Sequence, residues 1–143
     1  MMIKDILFMP GKSGLFKLVS RGANFTIVES LTDKKRTTAH DRDKIGMITD
    51  VYIHTTGDKK EVSVIEVFHS IKEKEGGKAV PIDMLKTGAD ELRAYFAEIL
   101  PDFDRKRVYP TNMIKILTWY NLLIDNGITD FLEKELEEVK VKE

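Results

Sequence analysis

The sequence contains no cysteine, which excludes disulfides, thiolate catalysis and cysteine-ligated zinc or iron–sulfur sites. It also lacks any run approaching the roughly 18 consecutive apolar residues of a membrane-spanning helix. The opening stretch, Met1 to Pro10, does not have the form of a secretory signal. Lys4 and Asp5 interrupt its apolar residues and no small-residue cleavage site follows. These absences lead to the expectation of a cytoplasmic protein with no membrane partner. Net charge is nearly absent as well, at −1 over 143 residues.

That small total conceals an asymmetry. Residues 1–60 carry 11 basic and 7 acidic side chains, and residues 61–143 carry 12 and 17. A basic half beside an acidic half fits either a polyanion-binding face with an acidic partner surface or an ordinary solvated exterior. The other proportions, 42% hydrophobic and 33% charged, are those of a globular chain.

Hydrophobic periodicity changes once along the chain. Leu15–Ser20, Phe25–Leu31, Arg36–His40 and Val51–Thr56 are short segments rich in β-branched and aromatic residues, separated by the turn-forming stretches 21–24, 32–35 and 41–46. Most carry apolar residues on both faces, which suits a tiny barrel covered on its outside by another element. From Asp58 the spacing becomes helical. Asp58 and Glu61 have capping-box spacing before a stripe through Ile65, Phe68 and Ile71, which Gly76-Gly77 ends. Leu92, Tyr95, Phe96 and Ile99 form a second stripe that stops at Pro101. Thr111 or Asn112 caps a third, through Met113, Ile116, Leu117, Tyr120 and Leu123. Asp130 and Glu133 start a final helix whose tail, from about residue 137, is expected to fray. The expected fold is therefore α+β: a small SH3-like β-barrel over residues 1–57, then three to four helices over 58–143.

Three stretches resemble a known family. They are Lys4–Leu7 with Gly11–Ser20 and Ile27–Leu31, Leu92–Phe96 with Leu100–Tyr109, and Lys115–Asn121. Together they are similar to a family of short Bacteroidetes proteins catalogued as domains of unknown function. The resemblance implies a barrel-like N-terminal part and a helical C-terminal part. It implies no activity, so no catalytic residue follows from it.

Candidate chemistry is sparse. Gly11-Lys12-Ser13 has the end of a phosphate-binding loop, but Ile6 stands where the motif needs glycine, and a strand pattern follows where a helix is required. His40, Asp41 and Asp43, with His54, supply ligand types without a metal-site spacing. The serines lie in no nucleophile elbow. The expectation is no catalytic residue, no metal and no cofactor.

Lys12, Lys17, Arg21, Lys34, Lys35 and Arg36 are the candidate nucleic-acid-binding set. They come from neighbouring strands and loops, where cations could neutralise phosphates while Phe16 and Phe25 stack on bases. The plain alternative is two core phenylalanines and a solvated turn. In Asp102–Tyr109, three adjacent cations either grip an anion or pair locally with Asp102 and Asp104. Trp119 and Tyr120 stand about 100° apart on one helix, so that helix is buried on two sides or presents one ring to a partner. The expected function is a non-enzymatic binding or adaptor module acting through the barrel on RNA, on a protein partner or on a second copy. The alternative is an enzyme with a site near His40 and His54.

Overall fold

The structure, a computed structural model, describes residues 3–9, 14–40, 44–81, 86, 88–129 and 131. The first part has five strands: β1 (Ile6–Phe8), β2 (Phe16–Arg21), β3 (Phe25–Ser30), β4 (Arg36–His40) and β5 (Gly46–Met47). A second hairpin follows, β6 (Tyr52–His54) with β7 (Glu61–Ser63). Three helices complete the described residues: α1 (Val64–Glu75), α2 (Ala89–Ile99) and α3 (Pro110–Asp125). Of the expected final helix only Phe131 is described, and the tail from residue 137 lies outside the described residues.

The five strands form one antiparallel sheet in the order β4-β3-β2-β1-β5. No ladder joins the edge strands β4 and β5 among the described residues, so the sheet is open. The closed SH3-like barrel expected from the sequence is not what the pairing gives. Closure needs edge strands long enough to share a ladder, and β5 has two residues. What the sequence does encode is curvature. The register of β2 on β3 slips by one residue between Leu18 and Ser20, and a bulge of this kind bends a strand and increases its twist.

The two-sided apolar pattern has two destinations. One face of the sheet encloses a small cluster of Leu7, Met9, Phe16, Val28 and Ala39. On the other, Ile6 joins Ile3, Leu15, Leu31 and Ile48 in a larger core shared with all three helices. Phe68 of α1 is fully buried there, with its ring 6.5 Å from Tyr120 and 5.5 Å from Phe131. Trp119 packs the other way, 5.6 Å from Phe8 of β1. The adjacent pair Trp119 and Tyr120 thus marks a helix buried on two sides, between sheet and α1.

The start of α1 differs from the sequence expectation. Asp58 does not cap a helix. Residues 57–60 turn instead, with Lys60 at φ 65°, and the Thr55 N–H donates to the Lys60 carbonyl at 2.8 Å. Glu61-Val62-Ser63 extends as a strand opposite Tyr52-Ile53-His54. Ser63 is the true cap, its hydroxyl accepting the Ile65 N–H at 3.1 Å. At the far end Gly76, at φ 66°, closes α1 as expected. The cap of α3 is Tyr109 rather than Thr111 or Asn112, because Pro110 takes the first helical position and holds its predecessor extended.

One row across the sheet is electrostatic. Glu29 on β3 lies between Lys17 at 3.4 Å and Arg36 at 3.2 Å. The Arg36 guanidinium first, then Lys17, holds the Glu29 carboxyl below its ordinary value. A carboxyl depressed in the folded state adds stability above its unfolded pKa, and that stability disappears as pH falls through the folded value. Glu29→Gln is therefore expected to lower the melting temperature most at pH 6–7, with the gap from wild type narrowing as pH falls below about 4.5. Melting curves at pH 3 to 7 check this. A gap independent of pH would mean the row contributes nothing through charge.

Candidate functional site

Of the residues singled out as a polyanion surface, four lie at one end of the sheet and one at the other, and one falls outside the described residues. Lys17 and Arg36 share the carboxylate of Glu29. Lys34, exposed at φ 63°, reaches across to hydrogen-bond the Asn126 side chain at the end of α3. Lys35 is exposed, its N–H held by the Asp33 carboxylate at 2.9 Å. These four gather at one end of the sheet. Arg21 lies at the other end of β2, about 13 Å away at 3.3 Å per residue. Lys12 falls outside the described residues. Phe16 is buried in the small cluster, while Phe25 is 41% exposed at a hairpin tip.

The two histidines also separate. His40 lines a cavity of about 260 Å³ with Arg21, Thr26 and Lys44, over a floor that includes Leu7 and Met47. His54 lines a different cavity of about 400 Å³. Asp41 and Asp43 lie outside the described residues. Among the described residues, no three His, Asp or Glu side chains cluster as a metal site would require, and no helix is long and apolar enough to cross a membrane.

The cavity at His54 is the better-built site, and its parts come from far apart in the sequence. One wall is β6, contributing Tyr52 and His54. The opposite wall is the turn before α3 together with that helix's first turns. Two backbone hydrogen bonds, which together make an antiparallel bridge between Thr55 and Phe103, hold the walls together. The Thr56 N–H donates to the Asp102 carbonyl at 2.8 Å, and the Asp104 N–H donates to the His54 carbonyl at 3.0 Å. Asp104 organises the turn. Its carboxylate accepts the Lys106 N–H at 2.9 Å, and its carbonyl accepts the Val108 N–H at 2.9 Å. Arg105 is absorbed locally, 4.1 Å from the Phe103 ring and donating to the carbonyls of Pro101 and Phe103. Lys106 and Arg107 are exposed. Of the three adjacent cations, only Arg107 lines the groove, with a loose 3.8 Å approach to Asp104.

Aromatic and cationic groups share the groove. Tyr52 and Tyr109 are 53% and 60% exposed, and with Phe25 they are the large hydrophobic side chains that stand out from the described surface. Both lie in this groove. The Tyr109 backbone is held at the helix start, where its N–H donates to the Asn112 side-chain carbonyl at 2.9 Å. Trp119 and Ile116 form part of the floor. The Lys115 ammonium sits 5.0 Å from the Trp119 ring centroid, which holds its charge at the groove. The lining contains Arg107, Lys115 and His54, and no carboxylate.

The sequence offers His54, the stretch Asp102–Tyr109 and Trp119 as separate features of this site, and nothing local links Tyr52 to Tyr109, 57 positions away.

Comparison with known proteins agrees with the resemblance in the sequence. Residues 51–123 match the family model described as Domain of unknown function (DUF6852), and residues 3–47 match Domain of unknown function (DUF5606). The fold resembles a solution NMR structure from Bacteroides vulgatus, with a TM-score of 0.71 and 45% sequence identity over 91% of each chain. No curated protein matches the chain. The groove, from Val51 to Trp119, lies wholly within the first of these matches.

Proposed function

This chain belongs to the DUF6852 family, whose function is unknown, and we propose that it is a non-enzymatic binding module whose ligand site is the groove between β6 and α3. One observation carries this reading: Tyr52 and Tyr109, each more than half exposed, flank one concave site floored by Trp119. Exposing large aromatic rings forgoes the free energy of burying them, about 25 cal/mol per Å². Paired rings at the rim of a cavity are therefore a marker of a binding surface. The lining favours binding over catalysis. It offers cations, aromatic faces and an amide, but no carboxylate to work with His54 as an acid–base pair. The curled sheet and the shared core act as the scaffold that fixes both walls.

Phenyl phosphate, which joins a ring to an anion, is the simplest probe. Titrated at millimolar concentration into isotope-labelled protein, it is expected to shift amide resonances of residues 52–54, 107–109 and 112–119. Shifts at the hairpins of residues 17–36 instead, or none at all, would contradict the assignment.

A further inference from the structure

We infer that the ligand of this groove is single-stranded nucleic acid, bound by stacking of two bases on Tyr52 and Tyr109 and by contact of two phosphates with Arg107 and Lys115. This rests on the groove being the binding site and adds the class of ligand. The first support is charge complementarity. Arg107, Lys115 and His54 line the groove, and no carboxylate does, although the chain as a whole is at −1. The groove lining is thus cationic in a chain that is near neutral overall, as is the lining of the cavity at His40.

The second support is the combination of groups. A purely apolar partner would bury the Lys115 ammonium and an Arg107 guanidinium whose carboxylate neighbour, Asp104, stands at a loose 3.8 Å, which is costly once water is excluded. A purely anionic partner, such as an acidic peptide, would leave two tyrosine faces without use. A single strand presents planar bases and phosphates alternately, so it meets both. Its bases are unpaired and free to stack, whereas a duplex hides them. The third support is position. The Lys115 ammonium is held against Trp119 inside the groove. Arg107 is exposed on the turn that closes the opposite side. The backbone of Tyr109, two residues on, is held by Asn112 at the start of α3.

The magnitudes follow. Two neutralised phosphates on a single strand give a slope of about −1.4 in log K against log salt, at about 0.7 per phosphate. Affinity should then fall only about sevenfold between roughly 50 and 200 mM salt. Stacking carries most of the affinity, so Tyr52→Ala and Tyr109→Ala should each weaken binding about tenfold or more.

The test is fluorescence anisotropy of labelled 8-mer oligouridine and oligothymidine with the full chain, at four salt concentrations. Saturable binding of either strand with a shallow slope is expected, and the ratio of the two affinities separates RNA from DNA. Lys115→Gln should reduce the slope by about 0.7 while leaving the melting temperature close to wild type. Tyr52→Phe keeps the stacking face and should bind like wild type, which distinguishes lost stacking from a disturbed fold. An acidic peptide that binds and shifts the groove resonances while both oligonucleotides fail would overturn the inference and leave the groove assignment standing. Oligonucleotide binding that Tyr52→Ala, Tyr109→Ala and Lys115→Gln all leave unchanged would also overturn it. If phenyl phosphate, peptide and oligonucleotides all leave the groove unmoved, both fall.

Discussion

Replacing Phe68 by alanine should destabilise the whole protein by about 3–5 kcal/mol, the usual cost of emptying a buried aromatic site. Phe68 is fully buried and its ring touches those of Tyr120 and Phe131. The surrounding side chains are themselves large and interlocked, so the cavity cannot collapse cheaply. Typical domains are stable by only about 5–15 kcal/mol in total. For a chain of this size the loss corresponds to a fall of about 10 °C in melting temperature. The sheet should melt with the helices, because Ile3, Ile6, Leu15 and Leu31 belong to the same core as Phe68. Far-ultraviolet circular dichroism and Trp119 emission, recorded on one sample, should give coincident transitions. A sheet that unfolds separately at an unchanged temperature would show that the two parts are energetically independent.

The second large effect is expected from Gly46→Ala. Gly46 pairs with Phe8 across β1 and β5, and a β-carbon there would fall 2.3 Å from the tip of the Phe8 ring. That ring is partly buried against the core and lies 5.6 Å from Trp119, so it has little room to move. Overpacking of this kind costs about 1–3 kcal/mol. It should also change the emission of Trp119, the single tryptophan of the chain. Gly22→Ala is the contrast. Its β-carbon would come equally close to the ring of Phe25, but Phe25 is 41% exposed and can swing away at small cost. Adding Phe8→Leu to Gly46→Ala should recover part of the loss. If the two glycine variants melt alike, the close approach is not what requires glycine at position 46.

Much of the architecture was legible because local pattern and tertiary role coincide. Leu15–Ser20, Phe25–Leu31 and Arg36–His40 read as strands from their β-branched and aromatic content, and each contains one. The stripes through Phe68, Phe96 and Tyr120 read as helices for the same reason. The errors occur where a partner decides. Ile6-Leu7-Phe8 is three apolar residues without alternation, yet it is an inner strand because Phe16-Lys17 and Gly46-Met47 flank it. Asp58 and Glu61 have the spacing of a helix cap, but Tyr52–His54 offers Glu61–Ser63 a ladder, and the ladder prevails.

The candidate site was hardly legible at all. The run Lys34-Lys35-Arg36 drew attention as a dense patch of charge, but Arg36 is answered by Glu29, which only strand pairing brings opposite it. The groove has no local signature. Its tyrosines come from β6 and from the start of α3, and backbone bonds between 54–56 and 102–104 bring them together. What the sequence did show was that Trp119 and Tyr120 point to different surroundings, and Trp119 turned out to lie in the groove floor.

Trp119 also offers the most direct measurement. Its emission, followed while single-stranded oligonucleotide is added, reports the groove itself with no label. A saturable change that tracks the anisotropy curve, and that is lost in the Tyr52→Ala, Tyr109→Ala double variant, is the result expected. Saturable anisotropy with Trp119 emission constant throughout would place the ligand elsewhere on the molecule and contradict the assignment of the groove.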